Sequence, residues 1–171
     1  FTTGTENGDV VDRIDISDAS NERDVVDYSK FNQNFPLIID LETATTSYQK
    51  NDGTIKQVQV QGFNNVIGSD EDDMFIASST GDLNHFAGGI GDDEYRGSSK
   101  DFINYSLEDA YSKSGSHNAG INANLTTGDI IDTYGDTDKI NASNPITNIV
   151  GSKHNDIIID SDTDNIILGG Y

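Results

Sequence analysis

Cysteine is absent from this chain, and basic residues are scarce: ten Lys and Arg stand against thirty Asp and Glu. Without cysteine there are no disulfides, no thiolate metal sites and no thiol catalysis, a composition that suits a protein exported unfolded. The shortage of basic residues leaves a net charge of −20. Such charge repels nucleic-acid phosphates and anionic lipid, which argues against nucleic acid and against membrane surfaces as partners. No apolar run approaches the length of a membrane span, so no membrane insertion is expected. No signal peptide is visible at Phe1, and the closing "NIILGGY" looks like the opening of another glycine turn. Both ends suggest a piece cut from a longer protein. Catalytic signatures are missing too. There is no His-Glu-x-x-His, no Gly-x-Ser-x-Gly, and His85, His117 and His154 are isolated, which predicts exposed turn histidines and no enzyme activity.

Only 33% of the residues are apolar, but they are clustered. Short β-branched runs such as "PLIIDL", "KQVQVQGF" and "NDIIID" recur between Gly, Asp, Asn and Ser, the pattern of strands and turns. Two prolines do not interrupt them. Only "SLEDAYSK", 106–113, offers a helix of one or two turns, with Ser106 as a possible cap and Glu108 in the first turn. The composition is that of a chain that folds once its charge is compensated.

The sequence repeats itself. "DVVDYS" at 24–29 matches "DFINYS" at 101–106, "LIIDLETATT" at 37–46 matches "INANLTTGDI" at 121–130, and "NNVIGSDEDDMFI" at 64–76 matches "TNIVGSKHNDIII" at 147–159. The offsets are 77, 84 and 83, which implies two related units, about 24–96 and 97–171, after lead-in strands in 1–23. Within them runs a beat of about nine residues: Asp or Asn, any residue, then a large apolar one. It appears at Asp73/Phe75, Asn84/Phe86, Asp93/Tyr95, Asp101/Ile103, Asp156/Ile158 and Asn165/Ile167. Two beats make a flattened coil with a strand on each side, so turns two beats apart share an edge. That pairs Asp73 with Asp93 and Asn84 with Asp101.

"GGIGDD", 88–93, is the chemically densest stretch. A phosphate loop fails, because no Lys-Ser/Thr follows and the aspartates repel phosphate. "DSDTDN", 160–165, lacks the glycine and glutamate of an EF-hand loop. A cation fits better, since calcium takes six to eight oxygens from carbonyls and carboxylates and glycine lets the backbone curl its carbonyls inward. "GGIGDDEYR", 88–96, matches the nonapeptide G-G-x-G-x-D-x-U-x at every fixed place. It resembles the RTX (repeat-in-toxin, hemolysin-type) calcium-binding repeats of large secreted bacterial proteins, with degenerate copies at 68–76, 79–87, 151–159 and 160–168.

The resemblance implies a right-handed parallel β-roll with Ca2+ in its turns and export by type I secretion machinery to the cell exterior or surface. Carried over by position, it implies a calcium half-site at Gly88, Gly89, Ile90, Gly91, Asp92 and Asp93. The facing half-site is Gly68, Asp70, Asp72 and Asp73, and Gly151, Asn155 and Asp156 correspond in the second unit. The Asn84/Asp101 edge is expected to be weaker, because Asn84 replaces Asp while Asp82 and Lys100 stand at glycine places. Tyr28 and Tyr105 are expected as packing anchors. Apolar residues on both faces around Phe75 (Met74, Ile76) and Ile158 (Ile157, Ile159) predict a covering layer from the longer strands at 35–41 and 57–63, hence an all-β two-layer body. The leading functional expectation is a non-enzymatic calcium-binding structural module. The alternatives are a calcium-supported adhesion or ligand-binding domain, with 107–120 as a recognition loop, and the non-catalytic C-terminal region of a secreted hydrolase or epimerase. Neighbouring modules end to end, or a cell-surface ligand, are the remaining candidate partners.

Overall fold

A computed structural model of the chain describes residues 13–15, 25–31, 34–80, 83–111 and 119–170. The first half contributes β1 (Arg13–Asp15), β2 (Val25–Asp27), β3 (Ile38–Asp40), β4 (Thr45–Gln49), β5 (Ile55–Gln61), β6 (Asn65–Ile67), β7 (Met74–Ile76) and β8 (His85–Ala87). The second contributes β9 (Glu94–Arg96), β10 (Phe102–Asn104), α1 (Ser106–Tyr111), β11 (Asn122–Asn124), β12 (Asp129–Ile131), β13 (Thr137–Ile140), β14 (Asn148–Val150), β15 (Ile157–Ile159) and β16 (Ile167–Leu168). The described residues are therefore all-β apart from one short helix. That helix starts where expected, but Asn104 is its cap: its Oδ1 accepts from the Ser106 backbone N–H at 3.2 Å and from the Ser106 hydroxyl at 2.6 Å.

Two sheets form. A six-stranded, wholly parallel sheet runs β16-β14-β10-β8-β6-β2, and a ten-stranded mixed sheet runs β1-β5-β4-β3-β7-β9-β13-β12-β11-β15. Successive beats alternate between them, from β6 through β10 and again from β14 to β16. The sheets face each other across one core, in which Phe75 of β7 meets Phe86 of β8 at a centroid distance of 5.3 Å and stacks on Tyr95 of β9 at 5.2 Å. The apolar residues of four beats, Phe75, Phe86, Tyr95 and Ile103, enter this core with no exposed surface, whereas Ile158 is half-buried against it and Ile167 is 40% exposed. Glu94 and Arg96, on either side of Tyr95, are half-buried and pair with each other at 2.9 Å.

The repeated phrases occupy corresponding strands. β3-β4-β5 and β11-β12-β13 are both antiparallel meanders, and β3∥β7 recurs as β11∥β15. The register Ile14↔Val60 recurs as Tyr95↔Ile140, which equates β1 with β9. Among the described residues each unit thus supplies eight strands, β1–β8 and β9–β16. The sequence phrases begin the second unit at 97; strand pairing begins it one strand earlier, at β9.

The predicted covering layer is not what the longer strands build. β3 and β5 join the sheet of β7 edge to edge, because their free backbone groups are satisfied by neighbouring strands and not by stacking. Met74 and Ile76 stay half-buried, and Ile157 and Ile159 are 60% and 50% exposed. The strands buried on both faces are β6, β8, β10 and β14, all in the parallel sheet. His85 lies there as well. It is a buried strand residue stacked on Phe102 at 4.8 Å, which corrects the expectation of an exposed turn histidine. His154 is half-buried, and His117 lies outside the described residues.

Candidate functional site

The aspartates that begin the beats, Asp73, Asp93, Asp101 and Asp156, each accept a backbone N–H at the start of a neighbouring strand. On the edge of the ten-stranded sheet this makes a ladder. The Leu37 N–H donates to Asp73 Oδ1 at 2.7 Å, the Asp73 N–H to Asp93 Oδ1 at 2.8 Å, and the Asp93 N–H to Asp138 Oδ1 at 3.0 Å. The structure thus brings Asp73 and Asp93 together. Asn84 and Asp101 also meet on the other edge, through the Asn84 N–H and Nδ2 to Asp101 Oδ1 at 3.1 and 2.7 Å.

What closes each carboxylate differs. Ser69 donates its N–H to Asp73 Oδ2 at 2.6 Å and its hydroxyl to both oxygens at 3.0 Å. Ser152 donates its N–H to Asp156 Oδ2 at 3.0 Å and its hydroxyl to Oδ1 at 2.8 Å, while the Ile121 N–H donates to Oδ1 at 2.9 Å. Ser98 closes Asp101 with its N–H and hydroxyl, both at 2.8 Å. Gly89 stands at the serine place in the 88–93 turn. It has no hydroxyl, and its N–H turns instead to Glu108 Oε1 at 3.4 Å. Asp93 Oδ2 is consequently buried and accepts no hydrogen bond.

The glycines of this turn answer to geometry. Gly89 and Gly91 have φ of +100° and +125°, values that side chains rarely adopt, and a side chain on Gly88 would overlap the Asp93 carboxylate. Gly68 and Gly151 sit in the same way over Asp73 and Asp156. The rim residues stack more loosely: Asp72 accepts from the Asp92 N–H at 2.9 Å, Asp92 from the Thr137 N–H at 2.7 Å, and Asp136 from the Gly91 N–H at 3.1 Å. Asp70 is half-buried, Ile90 is partly exposed, and Asn155 is exposed. Lys100 is exposed, and Asp82 lies outside the described residues.

Beyond Asp93 the ladder enters a pocket of acids that the motif does not contain. Asp138, Asp132 and Glu108 are all buried. Asp138 Oδ2 accepts from the hydroxyls of Tyr105 at 2.7 Å and Tyr95 at 3.4 Å. Glu108 Oε2 accepts from the Thr133 hydroxyl at 2.8 Å. Asp132 Oδ1 takes the N–H groups of Tyr134, Gly135 and Asp136 at 2.9, 2.7 and 2.8 Å, whereas its Oδ2 accepts none. Burial drives the acidities. It lifts Asp73 to about 7, Asp132 to about 6 and Asp138 to about 8. Burial, then the Asp138 charge, raises both Asp93 and Glu108 well above the usual carboxylate range. The charges acting on Asp93 are those of Asp138, Asp73 and Glu108, all negative. Among the described residues no three acids or histidines share a ready coordination shell; these four are joined through tyrosine, threonine and backbone donors. Tyr105 is thus a buried anchor whose hydroxyl reaches the pocket, while Tyr28 bonds to Thr46 at 2.8 Å.

Sequence reasoning missed Asp132, Asp138 and Glu108 as site residues. Asp138-Lys139-Ile140 obeys the same Asp–x–apolar rule and was the available signal. No family model, no curated protein and no solved structure matches this chain.

Proposed function

We propose that this chain is a non-enzymatic, calcium-binding structural module of a type I-secreted extracellular protein, a right-handed parallel β-roll of the RTX kind that folds as calcium binds. The observation that carries this reading is Asp93. Its carboxylate is buried under Gly88, one oxygen has no donor, and the charges around it are negative. A hard cation coordinated by oxygen is the chemistry that compensates such a group, and the glycine turn 88–93 supplies carbonyls beside it. Alternation of short parallel strands between two sheets supports the roll. With a net charge of −20, folding opposes self-repulsion until cations reduce it, so binding free energy becomes folding free energy. Millimolar calcium outside cells and far less inside would confine folding to the exterior.

Calcium uptake of the parent and of Asp93→Asn, measured by titration calorimetry, tests the reading. The parent should bind calcium, and the variant should bind it roughly tenfold or more weakly at one site, because ligand charge sets affinity over decades. No calcium binding by the parent refutes the reading.

A further inference from the structure

The two units fill one place in the fold with opposite chemistry. Repeated phrases and strand registers equate Tyr28 with Tyr105, Phe31 with Glu108, Tyr48 with Asp132 and Val58 with Asp138. In the first unit the place is apolar. Phe31 meets Tyr48 edge-on at a centroid distance of 5.3 Å, and Val58 is buried in the same core. In the second unit Glu108, Asp132 and Asp138 are buried just as deeply. The fold itself therefore does not require acids there, and three buried carboxylates in place of three apolar side chains destabilise it unless their charge is compensated.

Two further observations point to what compensates it. Asp132 Oδ2 and Asp93 Oδ2 are buried oxygens that accept no hydrogen bond. The charges acting on Glu108 are those of Asp138 and Asp132, both negative. We propose that Glu108, Asp132 and Asp138, together with Asp93, form one buried site for a divalent cation of calcium size, which ties α1 to the 132–138 turn. The donor set is all oxygen, which disfavours soft metals. Calcium accepts many carboxylate oxygens in adaptable geometry, whereas magnesium keeps several waters and is seldom caged by protein alone. The site rests on the calcium reading for the identity of its ion, but three of its four acids lie outside the glycine-turn motif.

The first unit supplies the test. In the full chain, Glu108→Phe, Asp132→Tyr and Asp138→Val together transplant its apolar trio into the second unit. Calcium bound at saturation is counted by equilibrium dialysis for the parent, for this triple variant and for Asp156→Asn as a turn control. The triple variant should bind one ion fewer than the parent while keeping its calcium-dependent β-sheet signal. An unchanged count with that signal intact overturns the site and leaves the turn reading standing; no calcium uptake by the parent overturns both. Should the triple variant not fold, Glu108→Gln decides. Terbium, excited through the neighbouring Tyr95 and Tyr105, should then require roughly tenfold higher concentration for half-maximal emission. An unshifted curve overturns the site.

Discussion

A buried carboxylate needs donors for both oxygens or a cation beside it. Asp73, Asp101 and Asp156 obtain donors from Ser69, Ser98 and Ser152, so serine at the second glycine place of the motif makes a turn self-sufficient. Asp93, with Gly89 there, is left short. That difference was legible in the sequence as "GGIGDD" against "GSDEDD" and "GSKHND", but its meaning needed the hydrogen bonds. Glu108 was not legible as a site residue, because helix position alone does not say that its side chain turns inward. The acidities give a pH prediction for the ion-free chain. Asp73, Asp132 and Asp138 have folded values raised to about 7, 6 and 8. Raised values mean that their contribution to stability is complete below about pH 4 and is lost as pH climbs through 6 to 8. In chelator, the far-UV β-sheet signal should therefore be present near pH 4 and be lost as pH climbs through 6 to 8, and saturating calcium should abolish the loss. A signal that grows with pH in chelator contradicts this assignment.

The strands themselves were readable from β-branched runs and the Asp–x–apolar beat, because the beats at Phe75, Phe86, Tyr95 and Ile103 each place one apolar residue in the core. The meanders were less readable. Their hairpins form where the periodic beat lapses, and they widen the sheet sideways when the apolar flanks of Phe75 and Ile158 had suggested a covering layer. The first turns of the two meanders, 41–44 and 125–128, differ at two residues, and one of the differences falls on a left-handed position. Gly128 closes the β11–β12 hairpin at φ +79°, while Ala44 holds the corresponding place between β3 and β4 at φ +55°. The left-handed conformation costs alanine roughly 1–2 kcal/mol, against about 0.5–1 kcal/mol of extra unfolded-state entropy for glycine. Ala44→Gly should accordingly stabilise the calcium-loaded chain by up to about 1 kcal/mol in urea denaturation. A loss of stability would show that the Ala44 methyl contributes packing that outweighs the strain.

At the scale of the molecule, the unit of construction is an eight-strand repeat whose trailing strands β7 and β8 are covered by the leading strands of the next. The sequence carried the repeat and its offsets; the joint at the 88–93 turn emerged only from strand registers. All of this depends on whether cations fold the chain, and far-UV circular dichroism of the chelator-stripped protein during calcium titration measures that directly. A cooperative rise in β-sheet signal as calcium is added, reversed by chelator, is the expected result. Identical spectra with and without calcium would contradict the account.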